Sequence, residues 1–158
     1  YMPCKPPESV DDMQVLIEEA LADAESKGDV PFAIKHMEDD KIVGSTRYID
    51  VRREHRGLEI GWTWVGLDYQ RTPVNTECKF LLFKHAFDDL GAFRVQLKTD
   101  SRNDQSQNAI QRIGAKREGT LRNHTKLWDG YLRHMVMFSV THKEWQNDVG
   151  AALRLRML

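Results

Sequence analysis

Residues 58–65 read Leu-Glu-Ile-Gly-Trp-Thr-Trp-Val, a strand with strict alternation. Leu58, Ile60, Trp62 and Trp64 fall on one face, and Glu59, Gly61, Thr63 and Val65 on the other. A short loop over 66–71 leads into a helix, with Thr72 as N-cap and Pro73 at the first helical position. The helix runs to Leu90 and stops at Gly91, and a new strand covers 93–99. This strand–helix–strand order is a βαβ unit, which requires a sheet with at least one parallel pair.

The other segments surround that unit. Ser9 caps a helix whose apolar positions are Val10, Met13, Ile17, Ala20 and Ala24, ended by Gly28. Strands over 31–37 and 42–51 flank the polar turn 38–41 as a hairpin. After 93–99 come a short helix beginning at Asn103 or Asp104, with Ala109, Ile110 and Ile113 inward, and its stop at Gly114. Strands over 116–127 and 131–141 flank the turn 128–130, and a last helix covers about 143–154. Hairpins together with a βαβ unit predict an α/β fold of the α+β type, built on a mixed sheet. At 158 residues with no repeat or linker, the chain is expected to form a single domain over 1–158.

Composition excludes several classes. A net charge of -1 gives no global basic field to draw the chain to nucleic acid. No apolar run reaches membrane-span length, and no export signal is visible, so the cytoplasm is the expected compartment. Cys4 and Cys78 read as free thiols, and no spacing of Cys or His suggests a metal.

Two polar turns carry chemistry. The first N–H groups of the helix after Pro73 have no internal partner, and with the helix dipole they form an anion site. Arg71 adds a positive charge beside it, and Asn75 is placed to bond a ligand or the backbone. In the second turn, Asn103 and Ser106 share one face of a helix start. Either they cap that helix or they turn an amide and a hydroxyl toward a ligand in the sheet's cleft.

Four segments in this order resemble the GNAT superfamily of N-acetyltransferases, in its RimJ/RimL-like branch: 58–65, Gln-Arg-Thr-Pro-Val-Asn-Thr-Glu at 70–77, 103–115, and Glu-Gly-Thr-Leu-Arg at 118–122. The resemblance covers roughly 31–145 and implies the GNAT fold, lacking the family's first strand and first helix upstream of Tyr1. It further implies acetyl-CoA as co-substrate and an amine as acceptor. The pyrophosphate loop falls on Gln70, Arg71, Thr72, Pro73, Val74 and Asn75. Trp64 and Val65 would pair with the pantetheine arm and hold the acetyl carbonyl, and Asn103 would hydrogen-bond the pantetheine. Ser106 matches a position that in some relatives protonates the departing thiolate. Pro73 and Asn75 stand where the family loop has glycines, and a proline donates no N–H. Lys126 falls near the catalytic glutamate of some RimL-type enzymes, and His134 where many relatives have an acidic residue. The family and the sheet edge left by the missing start also suggest a homodimer.

Acetyl transfer needs a base for the amine and a donor for the oxyanion. Glu59 is the first candidate base, against a reading as a sheet-face carboxylate paired with an arginine. His124 is the second, against a strand histidine with no role, and Tyr131 would bring a phenol near the thiolate. Trp62 and Trp64 line an acceptor pocket or pack the core. Arg47, Arg122 and Arg133 would attract a carboxylate-bearing acceptor. The competing function is a non-catalytic acyl-CoA sensor on the same fold.

Overall fold

The computed structural model describes residues 4–157. Ser9 opens α1 (Val10–Lys27) with a capping box. Its hydroxyl accepts the Asp12 N–H at 3.1 Å, and the Asp12 carboxylate accepts the Ser9 N–H at 3.0 Å. The helix ends at Gly28. Its apolar stripe is mostly outside the core: Ala20 is buried, whereas Val10 and Ile17 are exposed.

A six-stranded sheet follows, ordered β1-β2-β3-β4-β6-β5. The strands are β1 (Val30–His36), β2 (Lys41–Arg52), β3 (Gly57–Val65), β4 (Arg94–Asp100), β5 (Lys116–Lys126) and β6 (Leu132–Thr141). Only β3 and β4 are parallel, joined through α2 (Val74–Lys84), so the sheet is mixed as the βαβ unit requires. The chain leaves β4 through α3 (Asp104–Arg112) to the edge strand β5, and β6 then returns between them, antiparallel to both. Pro73 has helical dihedrals but precedes α2 as its N-cap, one position from the role read for it. The helix to Leu90 is two pieces, α2 and a wider turn at His85–Asp89.

One face of the sheet carries the apolar core. Leu58, Ile60, Val95, Leu97, Phe138 and Val140 meet Phe80, Phe83 and Phe87 of α2 and its extension, and Ile110 and Ile113 of the α3 region. The C-terminal segment closes it through α4 (His142–Glu144), a wide helical turn (Trp145–Val149) and α5 (Gly150–Leu155). Trp145 is the centre of this closure. Its ring lies 5.6–6.1 Å from those of Phe80, Phe83 and Phe87, and its indole N–H donates to Asp88 at 2.7 Å. Gly114 lets the segment approach: it has φ +91°, and a Cβ there would sit 2.9 Å from Val149.

The strict alternation read for β3 fails at one residue. Ser45 pairs with Trp64 but Arg47 with Gly61, so Thr46 alone opposes Trp62 and Thr63. This is a β-bulge, with Trp62 in the left-handed region at φ +52°. Parity therefore flips along the strand. Leu58 and Ile60 stay with the core, but Thr63 joins their side, bonding Thr46 hydroxyl to hydroxyl at 2.8 Å. Trp62 turns to the opposite side, under the Arg47 guanidinium at 4.4 Å from its ring. Both tryptophans are half-buried rather than core residues.

Trp145→Ala should lower the unfolding free energy in urea by about 3–5 kcal/mol, because it removes the ring on which three phenylalanines pack. Trp145→Phe should lose about 1 kcal/mol with the Asp88 hydrogen bond. An alanine variant within about 1 kcal/mol of wild type would contradict this account of the closure.

Candidate active site

β3 and β4 pair only from Gly57↔Arg94 to Glu59↔Gln96. Beyond Glu59, β3 keeps its bonds to β2 as far as Val65, and β4 keeps its bonds to β6 as far as Asp100. The two parallel strands thus part, and a cleft of about 680 Å³ opens between them. That size suits an extended small-molecule ligand.

The first wall is β3 and the turn after it. Trp64, Val65, Gln70, Arg71, Thr72 and Asn75 all line the cleft. The loop is folded on itself by local bonds. Gln70 donates its amide to the Val65 carbonyl at 3.1 Å, Thr72 donates to the Tyr69 carbonyl at 2.7 Å, and the Gly66 N–H bonds Val43 at 2.7 Å. The Tyr69 hydroxyl donates to Asp39 at 2.6 Å, which ties the loop to the β1–β2 hairpin and pushes the tyrosine's own pKa up. Arg71 holds φ +63°, unusual for an arginine. The first helical bond of α2 runs from the Glu77 N–H to the Pro73 carbonyl at 2.9 Å. The N–H groups of Asn75 and Thr76 precede it and are left as donors at the cleft. Pro73 and Val74 belong to this helix start but do not line the cleft.

The second wall is the end of β4 and the start of α3, with Thr99, Asn103, Ser106 and Ala109. Asn103 caps α3, its side-chain oxygen accepting the Ser106 N–H at 3.0 Å. Capping and cleft-lining thus coexist in one residue: the oxygen is committed and the amide N–H groups are not.

The polar side of the sheet, next to the cleft but outside its lining, holds two buried carboxylates. Glu59 is 1% exposed. One of its oxygens accepts from Gln96 at 2.8 Å, and the other meets Lys98 at 3.1 Å. Its partner is therefore a lysine, not the arginine read as the alternative. Glu59 does not line the cleft, but Gly61 above it does. A Cβ on Gly61 would lie 3.4 Å from the carboxylate and 2.9 Å from Ile49, so only glycine leaves this approach open. Asp100, fully buried, accepts from Arg102 at 2.8 Å and faces Arg133 at 3.2 Å. Burial alone would raise its pKa; the bonds from Arg102 and the charge of Arg133 hold it below the ordinary value.

The remaining candidates lie apart. His124 is exposed on the bulged part of β5 and does not reach the cleft. Tyr131 also lies outside the lining and carries the Arg102 guanidinium 3.6 Å over its ring. His134 accepts the Asn123 N–H at 2.8 Å and so braces β5. Arg133 lines the cleft, Arg47 covers Trp62, and Arg122 is exposed. Sequence reasoning missed Lys79, a buried lysine of α2 that lines the cleft. The available signal was a lysine set in the apolar pattern between Cys78 and Phe80. No helix among the described residues is long and apolar enough to cross a membrane.

The profile of the acetyltransferase (GNAT) domain family matches residues 1–116. A crystal structure from T. thermophilus, of an inferred acetyltransferase, is 35% identical with a TM-score of 0.89, covering 99% of this chain and 80% of that one. A GCN5-related N-acetyltransferase from Brucella melitensis is 25% identical with a TM-score of 0.92, covering 100% of this chain and 69% of that one. Among curated proteins, the uncharacterized N-acetyltransferase p20 of Bacillus licheniformis is 25% identical over 114 residues, 72% of this chain. The match spans 63% of that relative's length. The parted parallel strands, the helix start facing the opening and these similarities agree: the chain belongs to the acetyltransferase (GNAT) domain family, in its RimJ/RimL-type branch.

Proposed function

We propose that this chain transfers the acetyl group of acetyl-CoA to a primary amine, on a protein N-terminus or a small molecule, by direct attack in a ternary complex. The observation that carries the reading is the cleft between β3 and β4, which has free backbone donors at one end and a buried carboxylate beneath. The fold also fits a solved RimJ from Mycobacterium smegmatis in complex with CoA-disulfide, at a TM-score of 0.80.

The diphosphate of acetyl-CoA lies against the turn 70–75, where the Asn75 and Thr76 N–H groups and the helix dipole meet its charge. Pro73 contributes no donor there, so Arg71 and the Asn75 side chain carry a larger share. The pantetheine arm runs along β3, whose cleft-facing edge from Ile60 to Val65 has no strand partner. Asn103 donates its amide to the arm from the other wall, with Ser106 beside it. The acetyl carbonyl is held at the bulged end of β3, where an N–H stabilises the oxyanion.

Glu59 acts as the base through a water admitted past Gly61. The water takes a proton from the acceptor amine, and Lys98 and Gln96 keep the carboxylate oriented. Trp62 and Trp64, turned to the same side as Glu59 by the bulge, bound the acceptor. Pro73 in the loop also favours a second reading, an acyl-CoA sensor without turnover. Free thiol released from acetyl-CoA in the presence of an amine panel separates the two. Binding with no thiol release for any amine would leave the sensor.

Two variants test the site. Asn103→Asp keeps a helix cap but removes the amide donor, so acetyl-CoA affinity by calorimetry should fall about tenfold with thermal stability retained. Unchanged affinity would remove Asn103 from the cofactor contacts. Glu59→Gln should lower kcat about 100-fold and leave acetyl-CoA affinity within about threefold. An unaltered kcat and pH profile would exclude Glu59 as the base.

A further inference from the structure

Lys79 projects from α2 to the point where β3 bends away from β4. Its Nζ donates to the Thr63 hydroxyl at 2.6 Å and approaches that of Thr46 at 3.5 Å. The residue is 4% exposed, yet it lines the cleft. Neither threonine titrates. Cys78, its neighbour in α2, is the titratable group that interacts with it, but burial pushes the Cys78 thiol up and leaves it uncharged at neutral pH, and among the described residues no carboxylate stands at ion-pair distance. Two other basic side chains of the cleft region meet carboxylates: half-buried Lys98 meets Glu59, and buried Arg133 meets Asp100. Lys79 is the exception. Burial pushes its pKa down to about 8, so the ammonium still predominates at neutral pH.

A buried charge is costly unless an opposite charge meets it. Here the opposite charge has to come from the ligand. Coenzyme A is anionic at the 3′-phosphate, at the diphosphate and, once the acetyl group has left, at the sulfur, and the 3′-phosphate lies on the far side of the diphosphate from the thioester. The diphosphate site is the start of α2, and Lys79 lies four residues further along, about 6 Å deeper. Its Nζ is fixed against Thr63, next to the bulge at Trp62. On the reading proposed above, that is where the thioester rests.

We propose that the Lys79 ammonium is the counter-charge for the coenzyme A thiolate released in acetyl transfer. The amine nitrogen bonds to the carbonyl carbon, and the C–S bond breaks with its electron pair on sulfur. The proton lost by the amine passes through the water to Glu59. The thiolate pairs with Lys79 Nζ, which keeps its proton, and takes a proton from solvent when coenzyme A leaves. Thr63 aims the ammonium and Thr46 supports Thr63.

This inference rests on the cleft holding acetyl-CoA, and the test separates the two. The thiol of free coenzyme A is titrated by thiolate ultraviolet absorbance, alone and bound to wild-type protein or Lys79→Met. Methionine keeps the length and apolar stem, and Thr46 and Thr63 still satisfy each other, so the fold should persist. Wild type should ionise the bound thiol at a pH about one unit lower than in solution, and Lys79→Met should abolish that shift. The variant should bind acetyl-CoA, a neutral thioester, within about threefold of wild type while kcat falls at least about tenfold. An unshifted thiol in wild type, or the same shift in both proteins, would overturn the role of Lys79 and leave the cofactor site intact. Failure of wild type to bind coenzyme A at all would overturn both.

Discussion

The structure depends on the short pairing of β3 with β4. Three register pairs hold the strands together, and then each follows its antiparallel neighbour away from the other. The bulge at Trp62 strengthens the local twist of β3 toward β2, and it holds a bulky residue at positive φ, a conformation that costs on the order of 1 kcal/mol or more. Arg47 stacked over Trp62 and the Thr46–Thr63–Lys79 cluster on the other side brace that conformation. Two helix starts then face one opening, α2 with free donors and α3 with its capping asparagine. A sheet that stayed paired to Val65 would have no such opening.

The same bulge divides the chemistry between the two sides of the sheet. Before it, Glu59 and Gly61 lie on the polar side; after it, Trp64 does, while Thr63 moves to the side of Lys79. In the proposed mechanism, proton removal falls on one side of the cleft and stabilisation of the sulfur on the other. The polar side buries Glu59 and Asp100 with basic partners, and such pairs contribute little net stability because desolvation offsets their attraction. Their value lies in fixing orientation: Lys98 and Gln96 leave the Glu59 carboxylate a single direction.

The order of elements was legible because each has a local signal. Ser9 with Asp12, Pro73 before α2, and Asn103 before α3 act within one turn of the chain. The turn 70–75 and Asn103–Ser106 were legible for the same reason. What was not legible depends on contacts distant in sequence. Thr46 facing two residues of β3 is set by strand register, and so the pattern of 58–65 concealed the turn of Trp62 to the polar side. Glu59 could be named, but its lysine partner lies 39 residues away on a strand whose register the sequence does not specify. Lys79 drew no notice in the sequence, since only the packing of α2 on β2 and β3 shows it to be buried.

The central claim is that acetyl-CoA occupies the opening between β3 and β4. Amide hydrogen exchange of the protein, with and without coenzyme A, tests it directly. The account predicts slower exchange at the unpaired edge of β3 from Ile60 to Val65 and at Asn75 and Thr76, with β1 and β5 unchanged. Protection confined to other elements, or none at saturating coenzyme A, would contradict it.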